Sequence, residues 1–153
     1  MKIDLSVVLP CSLDQAVANV MTTRLLLYVS RPIVAFTPVG TSHFPATWTP
    51  GTHWVRLKLF GVIPFGKQAV VISNPEVNSE FALRDAGYSA LIPVWNHLIT
   101  IDPVPGGVRY RDQVEIHAGL LTPLIWVFAQ FFYQHRQRRW LRLAANGFNY
   151  SAA

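Results

Sequence analysis

The 153-residue chain has a single cysteine, Cys11, which excludes an internal disulfide and any cysteine-rich metal site. Charge is scarce: only 14% of residues carry one, against roughly 25% in an ordinary soluble domain. With 51% hydrophobic residues, this balance excludes an intrinsically disordered chain. Acids are missing from residues 116–153, where Arg136, Arg138, Arg139 and Arg142 stand without one. Residues 1–115 hold nine basic and eight acidic side chains, so the net charge of +5 belongs mainly to the C-terminal segment. No apolar run is long. The longest, Gly119 to Tyr133, contains Thr122, Pro123 and Gln130 and falls short of the ~20 residues of a bilayer-crossing helix. An integral membrane segment is therefore not expected. Asp4 inside the first apolar run, with Pro10 soon after, argues against a secretory leader, and the expected compartment is the cytoplasm. At about 100–200 residues per domain, residues 1–153 are expected to form one domain. The surplus of apolar residues over a closed core points to a cavity, a partner or a membrane face.

Ile3, Leu5, Val7 and Leu9 alternate with other residues at period two, the pattern of a half-buried strand. Ser12-Leu13-Asp14-Gln15 reads as a capping box opening a short helix at Leu13. A second short helix is expected to run to about Val29 and to end at Arg31-Pro32. From Ile33 to about His117 the chain reads as six strands with turn punctuation. In the hairpin around Gly61–Gly66, Gln68, Val70 and Ile72 are expected opposite Leu59, Leu57 and Val55. Thr122 as N-cap, Pro123 at the first turn and Gly147 beyond the end frame a long final helix. Its polar side is read as Gln130, Gln134 and Gln137, and its apolar side as Leu121, Ile125, Phe128 and Phe132. A long amphipathic helix after consecutive antiparallel strands needs a sheet to lie against. The predicted fold is α+β in the order β-α-α-β6-α, a curved seven-stranded antiparallel sheet around the C-terminal helix.

Together with this order, three strings resemble the START-like helix-grip superfamily, the SRPBCC group, and its small bacterial members in particular. They are Trp95-Asn96-His97, Tyr110-Arg111-Asp112-Gln113-Val114-Glu115-Ile116 and the stretch from Phe132 to Trp140. The resemblance covers nearly the whole chain. It implies a cavity for a hydrophobic ligand in a superfamily that holds both carriers and enzymes. It carries no catalytic motif over to this sequence, and the segment 40–51 does not match the glycine-rich loop of the plant carriers.

Among chemistry-bearing residues, His97 and Asp112 form the leading pair. Hairpin geometry places His97 opposite Asp112 or Val114, so imidazole and carboxylate are neighbours on a mostly apolar face. The pair reads either as an acid/base dyad facing a cavity or as a satisfied polar pair fixing strand register. The arginine run suits a helix C-terminus, although Arg136 and Arg139 lie close to the apolar stripe. One of them is expected to reach under the helix toward an acid or an anionic ligand head. The five histidines show no pair at helical ligand spacing, so no metal is expected, and no cofactor is expected either. His53 reads as a hydrogen-bonded interior histidine before a cavity residue, and Asp85 as a turn residue first and a cavity residue second. Gly61–Gly66 is an apolar hairpin tip without phosphate-binding chemistry, and no groove-reading motif points to nucleic acid.

The expected function is binding of a hydrophobic small molecule or lipid between sheet and helix. Val55, Leu57, Trp95, Tyr110, Ile125, Phe128 and Phe132 are the expected lining, with His97, Asp112 and Arg139 orienting a polar end. The rival is an aromatase/cyclase-like enzyme in which His97 and Asp112 move protons on a polyketide-like substrate. A third reading is a homodimer through Trp126, Phe131 and Tyr133.

Overall fold

The computed structural model describes residues 1–152. Its strands are β1 (Lys2–Leu9), β2 (Val34–Pro38), β3 (Gly51–Leu59), β4 (Ile63–Ser73), β5 (Phe81–Ser89), β6 (Val94–Val104) and β7 (Gly107–His117). The helices are α1 (Leu13–Val20), α2 (Thr23–Ser30) and α3 (Thr122–Ala145). All seven strands form one antiparallel sheet in the order β1-β7-β6-β5-β4-β3-β2. The expected order of elements and the α+β helix-grip architecture are both present.

Local chemistry accounts for the boundaries. At α1 the capping box forms as read: Ser12 Oγ accepts from the Gln15 amide and Gln15 Oε1 accepts from the Ser12 amide. The helical run ends at Arg31, whose bond to Pro32 is cis. Thr122 is not the cap of α3; a single 3-10 turn, Gly119–Leu121, precedes the helix and places Thr122 inside it. Its hydroxyl accepts from the Ala118 amide and donates to the Gly119 carbonyl, tying turn to helix. At the far end Gly147 adopts φ 72°, with its N–H on Ala144 O and the Phe148 N–H on Leu143 O. This is the left-handed stop for which glycine is suited.

The β3–β4 register differs from the one expected. Val55 faces Gln68, His53 faces Val70, and Leu59 faces Ile63, with a bulge after Leu57. The turn is thus tighter, formed by Phe60, Gly61 and Val62. Phe65, left between the pairs Leu57–Gly66 and Lys58–Pro64, turns to the inner face, where it lines the cavity. Re-aiming one side chain is a usual consequence of a bulge.

The buried stripe of α3 runs through Ile125, Ala129, Phe132, Tyr133, Gln137, Trp140, Leu143 and Ala144. It is rotated toward Tyr133 relative to the expected stripe, and Gln137 belongs to the inside. Two apolar clusters result. One centres on Trp140, Leu143, Tyr110 and Ile101 with the short helices. The other centres on Phe132, Tyr133, Ile116 and Val114. Among the described residues, no helix is long and apolar enough to cross a membrane.

Candidate functional site

Sheet and α3 do not close completely on one another. Between them lies a cavity of about 350 Å³, within the roughly 300–1,000 Å³ range of small-molecule pockets. Its walls come from α2, the inner faces of β2–β7 and the inner flank of α3. Leu57, Trp95, His97, Tyr110, Ile125, Phe128 and Phe132 all line it. Three expected residues lie elsewhere. Val55 is completely buried in the wall behind. Asp112 is also fully buried, underneath the lining. Arg139 turns to the flank of α3, where Nε donates to the Tyr28 carbonyl and the guanidinium lies 4.3 Å from the Tyr28 ring centre. It is Arg136 that reaches the cavity.

The polar end of the cavity is built from five strands and one helix. In the β6–β7 register His97 faces Val114 and Ile99 faces Asp112, so the two side chains meet diagonally, Nε2 to Oδ1 at 2.6 Å. The same Asp112 oxygen accepts from the Tyr110 hydroxyl at 2.9 Å, and its other oxygen accepts from Gln137 Nε2 at 2.8 Å. Gln137 also donates to Leu5 O. One carboxylate thereby links β6, β7, α3 and, through Gln137, β1. Burial alone would raise the Asp112 pKa, but the His97 hydrogen bond and charge hold it below its ordinary value. Burial holds His97 below its ordinary value in turn. The pair rests as carboxylate and neutral imidazole, the tautomer with hydrogen on Nε2. His97 shows its ring to the cavity while Asp112 holds it from behind.

Asp85 is not a turn residue. It lies within β5, lines the cavity, and accepts the Val71 amide on Oδ1 at 2.8 Å. The β4–β5 pairing skips from Ala69–Tyr88 to Ile72–Asp85, because this side chain takes the Val71 N–H. Burial pushes its pKa up to about 7, the Val71 hydrogen bond and the Arg136 charge pulling the other way. Tyr133, expected on an outer face, is buried against the sheet, accepts from Trp95 Nε1 at 3.0 Å and packs 4.9 Å from the His97 ring. Burial pushes its hydroxyl well above the usual range. Trp126 donates to the Lys2 carbonyl. Of the three residues read as a dimer face, Phe131 alone is strongly exposed, at 68%. His53 Nε2 bonds to the Thr49 carbonyl, outside the cavity. Among the described residues no group of three His, Cys, Asp or Glu side chains could hold a metal ion.

Sequence pattern alone thus ranks a turn above the cavity for Asp85, leaves Tyr133 and Gln137 on outer faces, and favours Arg139 over Arg136. A signal for Arg136 was present: it follows Phe132 and Tyr133 by four and three positions, the spacing of one helical face.

A long helix gripped by a curved seven-stranded sheet over an apolar cavity defines the helix-grip fold. Solved structures of that fold superpose over nearly the full chain. A START superfamily protein from Mycobacterium smegmatis is 11% identical, covers 95% of this chain and 97% of its own, and gives a TM-score of 0.63. An AHSA1-like protein from Aeromonas hydrophila is 11% identical, with 97% and 96% covered and a TM-score of 0.62. The protein TTHA0849 from Thermus thermophilus is 9% identical, with 96% and 99% covered and a TM-score of 0.67. The chain belongs to the family described as domain of unknown function DUF8410, whose model matches residues 9–144. No curated protein matches it.

Proposed function

We propose that residues 1–153 act as one helix-grip domain that binds a hydrophobic small molecule or lipid-like ligand in the cavity between sheet and α3. The observation that carries this reading is a void of about 350 Å³ walled by Leu, Ile, Val, Phe and Trp side chains with a few polar groups at one end. An apolar void of this kind favours an apolar guest, at roughly 25 cal/mol per Å² of apolar area taken out of water. Likeness in fold to START and AHSA1-like proteins agrees with that use, although fold alone does not decide it. Native mass spectrometry of freshly purified protein, followed by titration with a twelve-carbon alkyl probe, tests the reading. Retained ligand mass, or saturable one-to-one binding of the probe, is the expected result. Absence of both overturns it.

One observation favours a second reading, proton transfer on a polyketide-like substrate: His97 borders the cavity and is oriented by Asp112 behind it. A histidine held in one tautomer by a buried carboxylate is the arrangement of a general base. In that case His97→Gln removes turnover of such a substrate while leaving the melting temperature near that of the parent. A purely structural pair gives the reverse, lower stability and no activity to lose.

A further inference from the structure

We infer that the cavity takes an amphiphile with an anionic head, a carboxylate, seated on the Arg136 guanidinium and the Tyr133 hydroxyl. This deepens the ligand-binding reading above and rests on it. Arg136 lines the cavity, and its Nε is sealed from solvent without a hydrogen-bond partner. Among the described residues no carboxylate lies within ion-pair distance of it. The carboxylates on that side are committed or distant: Asp112 is saturated by His97, Tyr110 and Gln137, and one oxygen of Asp85 holds the Val71 amide. What steadies the guanidinium is aromatic, the Tyr133 ring at 5.0 Å and the Phe132 ring at 5.6 Å. Tyr133 accepts from Trp95 and, among the described residues, has no acceptor for its own proton. Two unspent donors therefore stand three positions apart on the inner flank of α3.

The Asp112 and Asp85 carboxyls act on Arg136 only through space; an enclosed charge with no partner at ion-pair distance is costly, and a guanidinium matches a carboxylate with two parallel hydrogen bonds. An arriving anion removes that cost. Asp85 does not oppose it, because a carboxyl that burial has pushed up to about 7 keeps its proton readily as a second anion arrives. The direction of the tail follows from the helix. Leu124, 70% exposed, lines the cavity rim twelve residues before Arg136, about 18 Å along the axis at 1.5 Å per residue. Phe128 lies within that interval, and Phe65 and Leu59 pack against the same apolar cluster and also line the cavity. The head lies inside and the alkyl chain points to the rim.

Dodecanoate and dodecanol share a tail and differ in the head, so their dissociation constants at pH 7 separate the two readings. The parent protein is expected to favour dodecanoate by at least about tenfold, the smaller end of what a hydrogen bond to a charged group contributes. Arg136→Met is expected to erase that preference, dodecanoate losing at least about tenfold more affinity than dodecanol does. If neither probe binds the parent, the cavity reading itself is overturned. Equal binding of both by the parent leaves a ligand cavity and overturns the anionic head. Should Arg136→Met not fold, Arg136→Lys replaces it: a point charge without the fork gives a smaller preference, and an unchanged one overturns the role of Arg136.

Discussion

Asp85 and the pair His97–Asp112 make opposite demands on pH. The Asp85 carboxyl, with a folded pKa of about 7 against an ordinary 3.8, stabilises the fold most below 3.8. That contribution is lost as pH rises through about 7, because the folded state holds a proton the unfolded chain releases. Asp85→Asn keeps an oxygen for the Val71 amide and never ionises. The variant should melt above the parent at pH 8, with the gap narrowing from pH 7 to 4 and gone below that. Thermal melts in steps of one pH unit check this, and equal melts at pH 8 contradict it. His97 and Asp112 are both held below their ordinary values. Their contributions are present at higher pH and are lost on acidification, first below the ordinary imidazole value of 6.5 and then below 3.8. Asp112→Asn places an amide among three donors at one buried point. It should cost about 1–3 kcal/mol in urea unfolding at pH 7, with the difference shrinking toward pH 3.

At the scale of elements, period-two alternation made β1, β6 and β7 readable, because each strand buries one face only. Capping chemistry made α1 readable for a similar reason: Ser12 and Gln15 satisfy each other locally. The β3–β4 turn was not readable. Its first left-handed residue is Phe60, at φ 53°, ahead of Gly61 at φ 73°, and nothing in a phenylalanine signals that conformation. Gln137 was misplaced for another reason. Polar residues count as outward in a helical pattern, yet Gln137 is buried because Leu5 O and Asp112, 132 and 25 positions away, supply its acceptors. Arg136 was undervalued because its stripe was centred on Phe128 and Phe132 rather than Tyr133. The β6–β7 turn, by contrast, falls at Pro105-Gly106-Gly107, a pattern legible as a tight turn, and the structure shows why one of these glycines is required. Gly107 has φ 153°, and a Cβ there would sit 1.9 Å from the Leu9 carbonyl oxygen of the neighbouring strand. Gly107→Ala should cost about 1–3 kcal/mol from backbone strain alone, and displacement of β1 adds to it. A lower urea midpoint with an unchanged slope is the expected signature.

The whole molecule trades packing for space. Seven strands and three helices bury enough apolar surface to fold, yet α3 and the sheet leave about 350 Å³ open between them. A filled core resists enlargement: extra methylenes typically cost about 1–3 kcal/mol. A void accepts them. Val70, on the inner face of β4, is buried and lines the cavity, so Val70→Phe has room to grow into it. The variant should match or exceed the parent in thermal stability, because added contacts replace empty space. The same ring occupies the volume a guest needs, and dodecanol affinity should fall at least about tenfold, the 1.4 kcal/mol that separates decades of affinity. Stability and binding thus move in opposite directions under one substitution. A destabilised Val70→Phe protein with unchanged affinity would mean that the space between α3 and the sheet is closed in solution, and that the guest, if any, lies elsewhere.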